Sequence, residues 1–190
     1  MQAMRISEIE SLWQELELTI VDTGSVEIET FLEALRRLYT NGGAELRVFQ
    51  LRPHPLWETH AAHDDLDRLG FPAAFLHLPT VQAALPAPVR VADQTETAFL
   101  RLDEPLEDAL TIRLVSGGAY VACDLNPDDA EEAAIAFCEA LFGDGSSEVT
   151  HYLSENGWHG WLHDLAWDAT FVSVDRVTRR VAVLMLTDMD

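Results

Sequence analysis

Helical spacing opens the chain. Ile9, Leu12, Trp13 and Leu16 recur three and four residues apart, and Ser7 stands three before Glu10 in capping-box form, so a helix is expected over residues 7–17. A short extended stretch, 18–21, leads into the turn Asp22-Thr23-Gly24. The next apolar stripe is the clearest in the sequence: Ile28, Phe31, Leu32, Leu35, Leu38 and Tyr39. Ser25 can cap that helix, and Asn41-Gly42-Gly43 supplies a left-handed stop. Residues 45–51 alternate as a strand. Pro53, Pro55, Pro72 and Pro79 then restrict 52–85 to short helices, expected near 59–69 and 80–85. This irregular stretch is the candidate lid or connecting segment.

From Val89 the period changes to two. Ala98, Leu100 and Leu102 share one face of an expected strand, 97–102, and Leu110, Ile112 and Leu114 share one face of the next. Ser116-Gly117-Gly118 reverses the chain, and 119–125 is expected to return as a hairpin partner. Asn126-Pro127-Asp128-Asp129 starts a helix, with Asn at the cap, Pro in the first position and acids in the first turn. Its inward stripe is Ala130, Ala134, Phe137, Cys138 and Leu141, and Gly143 ends it. A strand over 148–153, a Trp- and His-rich turn or short helix over 158–165, and strands over 167–174 and 180–186 complete the chain. Val181 to Leu186 is apolar at every position. Such a strand is central and covered on both sides, or covered on one side and paired with a partner on the other. The pattern reads as α+β: a mainly antiparallel sheet in the C-terminal two-thirds with helices packed on it. A helical N-terminal portion, 1–88, and a sheet-rich portion, 89–190, are expected to form one domain.

Composition narrows the class. In 190 residues the hydrophobic fraction is 48%, enough for a packed core. No apolar run approaches the roughly 18 residues that cross a bilayer. The start, Met1 to Glu8, lacks the basic and apolar regions of a signal peptide. A soluble, cytoplasmic protein with no membrane contact is expected. Cys123 and Cys138 are expected to be reduced, buried thiols not bonded to each other.

Charge is the strongest departure from the ordinary. The chain carries 33 acids against 12 bases, a formal net charge of −21. Every base is arginine. From Asp103 to Asp168 there are 15 acids and a single base, Arg113. Such a surface serves solubility, or it recognises a basic partner through complementary fields. Nucleic acid is disfavoured, because phosphate contacts need clusters of Lys and Arg. A P-loop is excluded by the lack of lysine, and neither a Gly-x-Ser-x-Gly elbow nor a Gly-x-Gly-x-x-Gly loop occurs. No cofactor is implied.

Candidate chemistry concentrates in the last third. Three of the five tryptophans (Trp158, Trp161, Trp167) and three of the seven histidines (His151, His159, His163) lie there. On a helix, His159 and His163 would share a face at i, i+4, and with Asp168 they form a candidate metal set, His151 being a further donor. Gly160 weakens that helix, and the Glu a metalloprotease needs is missing. His63-Asp64 and His163-Asp164 resemble the dipeptide that names a group of metal phosphohydrolases. Those enzymes are all-helical, which the alternating stretches after Val89 oppose.

Three functions follow. The favoured one is a non-enzymatic binding module whose acidic face and aromatic anchors, Trp158, Trp161, Asp164, Trp167 and Asp168, meet a basic protein. In this acidity the chain is similar to bacterial immunity proteins that neutralise nuclease toxins, a resemblance of composition with no motif behind it. The second is a metal-dependent hydrolase built on His159, His163 and Asp168. The third is a structural or regulatory domain whose charge serves solubility. The oligomeric state is left open.

Overall fold

The computed structural model describes residues 6–89, 98–143 and 148–189. Strand β6 (Arg180–Thr187) organises them. It lies inside a six-stranded sheet whose order is β1 (Leu18–Val21), β2 (Gly43–Leu51), β6, β5 (Ala169–Asp175), β4 (Val149–Ser154) and β3 (Leu100–Arg101). Every neighbouring pair is antiparallel. Successive β6 side chains enter different cores. Ala182, Leu184 and Leu186 join a cluster with α2 (Val26–Leu38), α6 (Leu106–Ser116) and α7 (Pro127–Phe142). Val181, Val183 and Met185 join a second cluster on the other face, with α1 (Ile6–Glu15), α3 (Pro55–Ala62), α4 (Phe71–Leu76) and α5 (Pro79–Ala84). The all-apolar run is therefore the signature of a strand covered on both faces. Strands lie mainly in the C-terminal part, yet β1 and β2 come from the helical portion, and β2 pairs directly with both β1 and β6.

Stretch 52–85 is neither lid nor connector. Its short helices and the 3-10 turn Leu66–Leu69 form the second layer, with Trp57, Leu66, Phe71, Phe75 and Val81 buried completely. Prolines begin α3 and α5 and stand within the first turn of α4, where a missing N–H costs nothing. Asp64, with φ of 53°, clasps this layer to the sheet edge by accepting from Arg101 at 2.6 Å and from Thr150 at 3.3 Å. Burial pushes its carboxyl up, but the bond to Arg101 and the charges of Arg101 and Arg176 outweigh this and hold it below the usual range.

Two expected strands are absent. Leu110, Ile112 and Leu114 lie on α6, where the buried set Leu106, Ala109, Leu110 and Leu114 has helical spacing and Ile112 faces solvent. Pro105 at the cap and Glu107 and Asp108 in the first turn favour that helix. Residues 119–125 form an irregular segment, with Val121 and Cys123 resting on the first core. Strand 97–102 shortens to Leu100–Arg101, and its first residue lies outside the described ones. The Ser7 side chain of the expected capping box does too. The expected caps of α2 and α7 both form: Ser25 Oγ accepts from Ile28 N, and Asn126 Oδ1 from Asp129 N. The end of α2 differs, since Tyr39 has φ of −92° and no left-handed stop forms there. Gly42 is instead required by a close approach, for a Cβ there would meet Thr187 O at 2.2 Å.

Cys123 and Cys138 are free, Cys138 buried and Cys123 half-buried. Burial pushes the Cys138 thiol up to about 12. Among the described residues no helix is long and apolar enough to cross a membrane.

Asp188 locks the end of β6. Fully buried, it accepts from Asn41 N and Ala119 N, both at 2.8 Å, joining three segments remote in sequence. Gly118 makes room for it: a Cβ there would stand 2.1 Å from Leu38 O and 2.7 Å from Asp188 Oδ2. Asp188→Ala strands two N–H groups and is expected to lower unfolding free energy by about 2 to 4 kcal/mol. Urea denaturation checks this; a loss below about 0.5 kcal/mol, the size of a neutral surface change, would show the lock to be dispensable.

Candidate functional site

The Trp- and His-rich segment is a loop between β4 and β5, made of turns with no helix. Asp168 organises it. Fully buried, it accepts from Asp164 N at 2.5 Å and Leu165 N at 3.3 Å through Oδ2, and from Thr187 Oγ1 at 2.5 Å through Oδ1. Asp164, at φ of 62°, accepts from Gly157 N at 2.9 Å. Both carboxylates thus satisfy backbone donors that a loop without secondary structure leaves over. Trp158 is buried and donates its indole N–H to Thr170 Oγ1 at 2.9 Å.

The three tryptophans do not form one patch. Trp158 and Trp161 rest on the second core, and the half-buried Trp167 rests on the first, across the sheet. The histidines separate likewise. His159 is buried beside Trp158, and its Nδ1 accepts the N–H of Trp161 at 3.2 Å, so the neutral ring carries its proton on Nε2. Burial lowers its pKa. His151 lies on β4 against Phe142, the last residue of α7, with Nδ1 2.8 Å from Ser173 Oγ. His163 is half-buried. Among the described residues no group of three or more His, Cys, Asp or Glu side chains gathers as a metal site.

A different surface carries exposed chemistry. Helices α6 and α7 pack side by side on one face of the sheet. Outward from α6 point Asp108, Ile112 and Val115, at i, i+4 and i+7; outward from α7 point Asp128, Glu131, Glu132, Ile135 and Glu139. The connecting segment adds Asp124, Leu125 and Tyr120, the last 66% exposed. With Asp103, Glu104, Glu107 and Asp129, ten carboxylates lie between residues 103 and 142, and among the described residues none forms an ion pair. The single base of this stretch, Arg113, is turned inward, its side chain only 14% exposed and paired with Glu155. It also lies against Tyr39, whose hydroxyl is raised by burial despite the pull of that cation. The acidic run is visible in the sequence. The exposure of the apolar residues among it is not, because alternation assigns Ile112 to an inward strand face.

Compared with known proteins, the chain matches no family model and gives no significant match to a curated protein sequence.

His151 supplies a pH test. Burial depresses its pKa to about 4, against 6.5 in the open chain. The unfolded state therefore takes the proton first. The stabilising contribution is complete above the unfolded value and is lost as pH falls through the folded one. Between those limits His151→Gln is expected to lose about 2 to 3 kcal/mol less stability than the parent. Urea titrations at stepped pH read this, and parallel curves for the two proteins would refute it.

Proposed function

We propose that this protein is a non-enzymatic, inhibitor- or immunity-like binding module, and that the outer face of α6, α7 and their connecting segment engages a basic protein. One observation carries the reading: carboxylates without ion pairs share α6, α7 and their connecting segment with exposed Tyr120, Ile112, Val115, Leu125 and Ile135, and the one local arginine is neutralised inside. A merely solubilising surface needs the charges but gains nothing from large apolar groups among them. The carboxylates would steer a cationic partner at long range, and the apolar groups would hold it once water is expelled. Tyr120 is the best anchor, since aromatic side chains dominate such contacts. The two free thiols are compatible with a reducing compartment such as the cytoplasm.

The interface moves from the tryptophan loop because Trp158 and Asp168 are committed to internal hydrogen bonds. Trp158→Phe should therefore disturb stability before it disturbs binding.

The test is affinity capture from the host's own lysate at moderate salt, followed by reconstitution with the identified partner. A basic protein bound with defined stoichiometry is expected. Tyr120→Ala should weaken it at least about tenfold, through a faster off-rate. Neutralising Asp124, Asp128, Glu131 and Glu132 together to the amides should mainly slow association. Binding lost at modest ionic strength, or unchanged in both variants, would reduce the face to a solvated surface.

A further inference from the structure

Most arginines among the described residues are engaged. Among the described residues, Arg36, Arg37, Arg47, Arg52, Arg68, Arg101, Arg113 and Arg176 each pair with a carboxylate. Arg179 and Arg180 do not. Arg180 is exposed, but Arg179 is half-buried, and its Nε is shut from water with no hydrogen-bond partner.

Arg179 also has φ of 59°. That conformation is unfavourable by about 1–2 kcal/mol for a residue with a Cβ and without the short polar side chain of Asn or Asp. The strain is held from outside. Arg179 O accepts from Leu51 N at 2.9 Å, and Asp175 fixes the turn by accepting from Val177 N and Thr178 N, each at 2.9 Å. A strained residue kept in place by its surroundings is a pointer to a site.

Arg179 is one of the residues lining a cavity of about 280 Å³ between α3 and the β5–β6 turn. Glu58 stands in the same cavity, with no ion pair or side-chain hydrogen bond among the described residues, and it does not pair with Arg179. Ala61, Ala62, Val177 and the buried Trp57, whose indole N–H has no partner, also line it. Arg176 and Glu148 close the rim but satisfy each other at 3.0 Å. Two other cavities among the described residues differ. The larger one, about 770 Å³ beside α2, has Arg36 on Glu29 at 2.6 Å and Arg47 on Glu45 at 2.9 Å. A third, about 300 Å³, has Asp103, Glu104 and Glu107 with an Arg101 already held by Asp64.

We propose that the cavity between α3 and the β5–β6 turn binds a small zwitterion, a free α-amino acid with an apolar side chain. Arg179 takes the carboxylate through its two terminal nitrogens, Glu58 takes the ammonium, and Ala61, Ala62 and Val177 meet the side chain. A guanidinium offers the fork that a carboxylate fits. Zwitterions also escape the field of the protein: a chain of net charge −21 repels simple anions, whereas a ligand of zero net charge is not excluded. This site lies outside the α6–α7 face and does not depend on the binding reading above.

Calorimetric titration with L-leucine tests it, beside isopentylamine, which lacks the carboxylate, and 4-methylpentanoate, which lacks the ammonium. Saturable one-site binding of leucine is expected, with each analogue weaker by at least about tenfold. Arg179→Gln and Glu58→Gln should each cost a similar factor, and Arg180→Gln none. Neither side chain of the first two variants has an internal partner to lose, so thermal unfolding should match the parent; if Arg179→Gln unfolds, Glu58→Gln and the two analogues decide. No saturable leucine binding, an analogue equal to leucine, or full affinity in Glu58→Gln would overturn the proposal.

Discussion

Two-sided burial of β6 is the constraint on which the molecule depends. An antiparallel sheet can leave one face to water, and a strand that alternates apolar and polar residues would have permitted that. Here Val181, Val183 and Met185 cannot be solvated any more than Ala182, Leu184 and Leu186 can, so helices must cover both sides. The amphipathic pair α6 and α7, with α2, covers one. The other is covered by the proline-started short helices of 52–85, whose value lies in Trp57, Phe71 and Phe75 and not in helix length. The helices there are short because prolines interrupt the stretch and start each one afresh.

The charge follows from this layering. With both sheet faces occupied, most acids go to helix exteriors, loops and strand edges. The few buried carboxylates each secure one piece of backbone. Asp168 closes the β4–β5 loop, Asp175 the β5–β6 turn, and Asp188 the end of β6. Each receives two or more hydrogen bonds, which compensates the loss of water. The surplus of negative charge is left outside, much of it on the α6–α7 exterior.

Much of the fold was legible in the sequence. Ser25 and Asn126 announced their helices because capping is a local event between residues three apart. Val181 to Leu186 announced a covered strand because nothing in it could face water. The α6 segment misleads for a reason equally local: Leu110 and Leu114 satisfy both periods, and Ile112 between them tips the pattern towards a strand, although Ile112 is exposed. Pro105, Glu107 and Asp108 carry the opposing signal. The tryptophan loop misleads differently. Clustered Trp, His and Asp residues suggest a surface site, but chain proximity does not fix the face, and Trp161 and Trp167 rest on opposite sides of the sheet. Nor could the sequence reveal Asp188 meeting Asn41 and Ala119, or Arg179 and Glu58 lining one cavity, since both depend on how remote segments are brought together.

The place of β6 in the chain has a consequence for how this protein comes into being. On the ribosome, β1 and β2 emerge early and can pair, but the far edge of β2 belongs to β6, which is made after the other described elements. Until then β2 offers an open backbone edge, and the rings of Phe49, Phe71 and Phe75 have no sheet centre to close upon. β5 and β4 wait in the same way, since β6 is the single strand that joins the two halves of the sheet. The sheet therefore cannot close until synthesis has passed Thr187. The abundance of carboxylates would serve the chain here as well, keeping neighbouring nascent copies on a polysome apart by mutual repulsion.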